Sequence, residues 1–130
     1  MPNINSTVYL KPHEEYDNFI YMIWNNNPKI PDVQATFKQL RNFVEQSLDP
    51  VYVIVDIQSS PKFPLGSTIS GAASVHINHN LNAWLVIGSS SLAKVIGKAI
   101  SAAGKAEIVW FKTEQDLNAY VEEIMKGVLV

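Results

Sequence analysis

Between Val51 and Met125 the chain repeats one alternation: a short run of β-branched and aromatic residues, a turn, then a stretch with apolar residues every three or four positions. VYVIVD leads towards LGSTISGAASVH, NAWLVIG into SSSLAKVIGKAISAAG, and AEIVWF into TEQDLNAYVEEIM. Nearly continuous apolar runs suit strands at least partly covered on both faces, and the helical period suits amphipathic helices. Strands alternating with helices through short connections call for a parallel sheet with right-handed crossovers.

Upstream, Thr7–Leu10 and Asp17–Trp24 are β-branched and aromatic runs flanking the polar KPHEEY, which predicts an antiparallel hairpin. After NNNPKIPD, Asp32 is placed to cap a helix carrying Val33, Phe37, Leu40 and Val44 on one stripe and running to about Leu48. Serines cap the helix after Gly88, Gly104 closes it, and Thr113 caps the helix after AEIVWF. The expected fold class is α/β: a mixed, mostly parallel five-stranded sheet in the order ββαβαβαβα, with crossover helices mainly on one face.

Strand alternation divides the sheet residues into two sets. Ile20, Met22, Trp24, Val51, Val53, Val55, Leu85, Ile87, Ile108 and Trp110 are assigned to the helix side. Phe19, Tyr21, Ile23, Tyr52, Ile54, Trp84, Val86, Glu107, Val109 and Phe111 form the other face, which is expected to be open. Such a patch is larger than monomers usually leave in water. A homodimer through Tyr21, Tyr52, Trp84 and Phe111 is the expected cover, with Met1–Leu10 folded over the face as the alternative.

The 130 residues and 47% hydrophobic composition fit one domain, 1–130, with its own core. A net charge of -2 without a basic stripe disfavours nucleic acid as a partner. With no cysteine there is no disulfide, thiolate metal site or cysteine nucleophile. The opening MPNINSTVYLKPHEEYD has neither the basic start nor the apolar run of a secretory signal, and no later run approaches a membrane span. A cytoplasmic protein without membrane insertion is expected.

IVDIQSSPKFPLG, NHNLNAWLVIGSSSLAKVIGKAI and AEIVWFKTEQDLNAYVEEI together resemble a STAS domain (sulfate transporter and anti-sigma factor antagonist), in its divergent, sporulation-antagonist-like bacterial form. The resemblance covers roughly Val51 to Met125 and rests on element order and short motifs. It implies a regulatory module that binds a partner protein and performs no catalysis, in a family that also includes nucleotide and lipid binders. In the regulatory members an Asp-Ser pair opens the helix after this strand, and a partner kinase phosphorylates the serine. Aligned from Asp56, that pair falls on Pro64 and Leu65, so the switch residue is missing. Ser59, Ser60 and Ser67 stand nearby, and the bland reading makes them loop and cap residues.

Other motifs point to chemistry more weakly. Gly88, Ser89 and Ser90 precede a helix whose N–H groups could hold an anion, but the second glycine and Lys-Ser/Thr pair of a Walker loop are absent, and an N-cap explains them better. His76 and His79 have metal-compatible spacing without a third ligand, so no metal or cofactor is expected. No nucleophile elbow or apolar carboxylate pair occurs, which argues against an enzyme. The loops NNNPK, DIQSSPKF and GSSS should gather at the strands' carboxyl ends and form a rim of Asp56, Ser59, Ser60, Leu65, Gly66, Ser67, Gly88, Ser89 and Ser90. That rim suits a protein partner first. The alternative is a carrier or sensor that takes a small anionic or lipid-like ligand there.

Overall fold

A computed structural model describes residues 6–59, 62–102 and 104–127. The chain lays down β1 (Val8–Pro12), β2 (Phe19–Trp24), α1 (Ile30–Gln46), β3 (Val51–Asp56), α2 (Leu65–His76), β4 (Leu81–Ile87), α3 (Ser91–Ser101), β5 (Glu107–Phe111) and α4 (Glu114–Met125). The strands lie side by side in chain order, β1 antiparallel to β2 and every other pair parallel. This is the expected α/β layout. With the strand order never reversing, the sheet has no switch-point crevice of the doubly wound kind.

The helices divide unequally between the two faces. Helices α1, α2 and α3 pack with Val8, Leu10, Ile20, Met22, Trp24, Val51, Val53, Trp84 and Val86 in the larger core. Leu117 and Val121 of α4 pack with Phe19, Ile54, Ala83, Leu85 and Ile87 on the opposite face. The expectation of an open second face is therefore corrected. A helix that follows the last strand is not a crossover, so the right-handed rule leaves its side free, and the apolar stripe of α4 takes the uncovered face.

Three of the four strands assigned by alternation keep their predicted faces, and β4 is inverted. Leu85 and Ile87 face α4, whereas Trp84 and Val86 face α1 to α3. The register explains the inversion. Val51 pairs with Leu81 but Tyr52 pairs with Ala83, so Asn82 is an extra residue that turns the rest of the strand over. Trp84, named for a dimer contact, is only 4% exposed and belongs to the core.

Helix ends also differ in detail. Asp32 does not cap α1; it lies in the first turn, after Pro31, and its Oδ2 accepts from the Thr7 N–H (3.0 Å) and hydroxyl (2.7 Å). Proline tolerates that turn because the N–H it lacks would be unpaired there anyway. Helix α1 stops at Gln46, leaving Leu48 99% exposed. Gly104 does not close α3, which ends at Ser101 with Ala102 as its C-cap. Its role is close approach: a Cβ on Gly104 would come within 2.5 Å of the His76 carbonyl oxygen. Ser90 and Thr113 cap α3 and α4 as expected, their hydroxyls accepting from the N–H groups of Ala93 and Asp116 at 3.1 Å each. Of the Met1–Leu10 segment proposed as a cover, residues 1–5 lie outside the described residues, and Val8–Leu10 sit in edge strand β1.

Candidate functional site

The predicted rim resolves into separate local roles. Asp56 ends β3, and its Oδ1 accepts from the Gln58 N–H at 3.0 Å, a turn that fixes the following loop. The Gln58 amide also donates to Glu114 Oε1 at 3.3 Å, tying this loop to the first turn of α4. Gly88 has φ +122°, and a Cβ there would meet the backbone of Ile57 at 3.0 Å, so the β3 and β4 ends are drawn together where only glycine fits. Ser89 is exposed, Ser90 is the α3 cap, and Ser59 is exposed. Ser60 lies outside the described residues. Leu65 and Gly66 are exposed on the first turn of α2, and Ser67 is half-buried along a groove between α1 and α2.

Just beneath these loops the helices leave a gap. Between the sheet and helices α2 and α3 lies a cavity of about 70 Å³; the whole space between its walls, out to solvent, is about 510 Å³. Its floor is Met22 and Trp24 of β2, Val55 of β3, Trp84 and Val86 of β4, and Ile108 and Trp110 of β5. Its roof is Phe37, Thr68, Ala72, Ala93, Ile96, Gly97 and Ile100, with Ile57 and Phe63 supplied by the loop after β3. All three tryptophans of the chain line it. Aromatic spacers hold the roof off the floor: Trp24 meets Phe63 edge-on at 4.9 Å and Phe37 at 6.0 Å between ring centres.

No ionisable side chain lines this cavity among the described residues. Its surface is almost wholly apolar. Two buried polar atoms of residues in its walls, the Trp24 Nε1–H and the Thr68 hydroxyl, have no hydrogen-bond partner among the described residues. A buried donor left without an acceptor costs about 1–3 kcal/mol. Trp84, in the same wall, is the contrast: its Nε1–H donates to His76 Nδ1 at 3.0 Å.

No family model, curated protein or solved structure matches the chain.

The α4 face carries a second concavity, of about 480 Å³, between the hairpin loop and α4. Glu14, Glu15, Asp56, Glu114 and Glu122 line it beside Lys11 and His13. Burial raises the Tyr21 hydroxyl above its ordinary pKa, and the negative charges of Glu14, Glu114 and Asp56 add to the rise. Tyr16 is raised too, first by donating its hydroxyl to Glu122 Oε1 at 3.0 Å. His13 is locked between these rings, stacked on Tyr21 at 5.5 Å, while its Nδ1 accepts from the Glu15 and Tyr16 N–H groups. Tyr21, Tyr52 and Phe111, named for a dimer contact, are half-buried on this face; Tyr52 stacks on Phe19 at 4.6 Å and Phe111 meets Tyr120 edge-on. His76 and His79 do not converge, since His76 is buried against Trp84 and His79 is exposed. Among the described residues no group of three or more His, Asp or Glu is arranged to hold a metal, and no helix is long and apolar enough to cross a membrane.

The rim residues were legible as loops because glycine, serine and proline announce turns. The cavity was not. Its lining comes from scattered helix and strand positions that all read as ordinary core.

Proposed function

We propose that this chain is a non-catalytic, STAS-like binding module of the bacterial cytoplasm whose ligand is a small, largely apolar molecule held between the sheet and helices α2 and α3. One observation carries the reading: a cavity between the sheet and helices α2 and α3, lined by three tryptophans and aliphatic side chains. Small-molecule pockets are lined predominantly by hydrophobic and aromatic side chains. The absence of any ionisable group from the described lining speaks against general acid–base chemistry there. The position next to Ile57 and the first turn of α3 favours the carrier or sensor form of the module, with the loops at Asp56–Ser59 and Gly88–Ser90 forming its outer edge.

Native mass spectrometry of protein purified from its own host tests this reading. One organic molecule per chain is expected, and it should be lost from the double variant Ala93→Leu/Gly97→Ala, whose added carbons fill the cavity. Wild-type protein that is always empty and takes up no apolar probe would sink it.

A regulatory protein partner is the second reading, and the strip Tyr9, Tyr21 and Ile23 favours it. These residues are half-buried on the α4 face of β1 and β2, beside the acidic concavity. Self-association through the same strip is the dimeric version. Phosphorylation is not expected to control either, because Leu65 stands where the resembled family has its serine, and phosphoproteomics that finds stoichiometric phosphate on Ser59, Ser60 or Ser67 would overturn that.

A further inference from the structure

We infer that the trough between the hairpin loop and α4 is a docking surface for a lysine- or arginine-rich segment of a partner protein. The inference rests on the protein-partner reading and names the chemistry of that partner. The floor of the trough is a piece of sheet left without a full cover. In the β1–β2 register Tyr9 stands opposite Ile23 and Lys11 opposite Tyr21, on the face away from α1 to α3. An antiparallel pair with one face in water normally shows polar residues there, and this one shows two half-buried tyrosines and an isoleucine. Helix α4 does not cover them, because it returns from β5 at the far edge of the sheet and packs against β4 and β5. Over Tyr21 lies only the stacked ring of His13 and the Lys11 ammonium.

The walls set the chemistry of the occupant. Glu14 and Glu15 stand on the hairpin side, Asp56 at the end of β3, and Glu114 and Glu122 on α4, five carboxylates around about 480 Å³. Lys11 is the one lysine in the lining, and the whole chain carries a net charge of only -2. Glu114, Asn118 and Glu122 recur every four residues, which spreads the α4 wall over about 12 Å. Among the described residues these groups do not converge as a metal site, and charge spaced in this way matches a row of side chains along a peptide. The wall is also held in place before any partner arrives. The Gln58 amide donates to Asp56 and Glu114, and the Tyr16 hydroxyl to Glu122, while the second oxygen of a carboxylate stays free to accept. Lys11 shows the fit in miniature: its Nζ lies 4.0 Å from Glu14 Oε1 and 5.8 Å from the Tyr21 ring centre, an ammonium between a carboxylate and an aromatic face. Glu15, Asp56, Glu114 and Glu122 have no cation within 4.0 Å among the described residues. A basic segment would neutralise them, and an apolar residue beside its cations would cover Tyr9 and Ile23. Charge complementarity of this kind acts largely on the rate of encounter, so the contact should weaken with salt.

Two fluorescently labelled decapeptides test this, alike in a central pair of leucines and differing only in carrying four lysines or four glutamates. The lysine peptide is expected to bind the wild-type chain saturably, one to one and more weakly as salt is raised, and the glutamate peptide not at all. Glu114→Gln/Glu122→Gln keeps the acceptors that Gln58 and Tyr16 use, and it should bind the lysine peptide about tenfold less tightly, two charged contacts having been lost. Glu45→Gln/Glu107→Gln removes the same charge outside the trough and should bind as wild type does. Equal losses in the two double variants would mean bulk charge alone, and spermidine binding as tightly as the peptide would mean a small-amine site; either result overturns the inference. Photo-crosslinking in the host cell, with benzoylphenylalanine in place of Tyr9, separates it from the reading beneath it. A crosslinked partner segment rich in lysine or arginine supports both, and an acidic or uncharged segment sinks the inference while the protein-partner reading stands. No crosslink to any protein chain sinks both.

Discussion

Two buried indoles in one wall obey different rules, and each sets up a measurable contrast. Because His76 Nδ1 accepts the Trp84 N–H, the neutral imidazole carries its own proton on Nε2, a buried donor with no partner. Trp84→Phe strands the acceptor as well, so it should destabilise by about 1–3 kcal/mol beyond the lost packing, read from the urea midpoint. Trp24→Phe removes a donor that had no partner, so its cost should be the smaller of the two; equal losses would mean that Trp24 is satisfied after all. Asp32 offers a pH-dependent contrast. Its carboxylate is held below the ordinary range, first by the Thr7 N–H and then by the Thr7 hydroxyl. A lowered folded-state pKa adds stability that is complete above the unfolded value and disappears as pH falls through the folded one. Asp32→Asn should therefore melt earlier than wild type at neutral pH, and the gap should shrink as pH falls below the ordinary carboxylate range. A gap that widens on acidification would contradict this account.

The helices owe their placement to glycines that do unlike things. A Cβ on Gly71 would come within 2.3 Å of the Phe37 ring and 2.9 Å of its Cβ, so α2 and α1 meet where a side chain cannot fit. On Gly66 a Cβ would meet nothing within 4 Å, and on Gly97 it would reach Trp110 at 3.4 Å, an ordinary contact. Gly71→Ala should cost about 1–3 kcal/mol by overpacking, whereas Gly66→Ala and Gly97→Ala should each add about 0.4–1 kcal/mol by helix propensity. Chemical denaturation of the three variants checks the order. Neither glycine type was separable from composition alone. The same holds for β4: Ala83, Trp84, Leu85, Val86 and Ile87 are all apolar, so alternation carries no face information, and the one-residue slip at Asn82 decided it. Elements with a one-sided stripe were legible. Helix α4, with Leu117 and Val121 buried and Thr113 at its cap, was legible apart from Met125, which is exposed, yet its choice of sheet face was not, because no crossover rule binds a helix that returns to no strand.

At the scale of the molecule, the sheet is covered by three helices on one side and by one on the other, and the lighter side is where its integrity is easiest to probe. Leu117 is 2% exposed against Leu85, Ile87 and their neighbours, so Leu117→Ala should cost about 2–5 kcal/mol. It should also loosen α4 and promote self-association of the uncovered face in sedimentation, whereas an equally destabilising change in the larger core should not. Replacing Trp84 by Glu, by contrast, should unfold the chain instead of separating subunits, since the side chain lies within the core. The strand order has a further consequence during synthesis. Because each strand lies next to the one made before it, the sheet can grow at a single edge as the chain leaves the ribosome, with no strand having to insert between two others. The side that becomes the α4 face, with Phe19, Ile54, Leu85 and Ile87, stays bare until residues beyond Phe111 have emerged. The apolar face is then most in need of a chaperone in the interval before α4 docks on it.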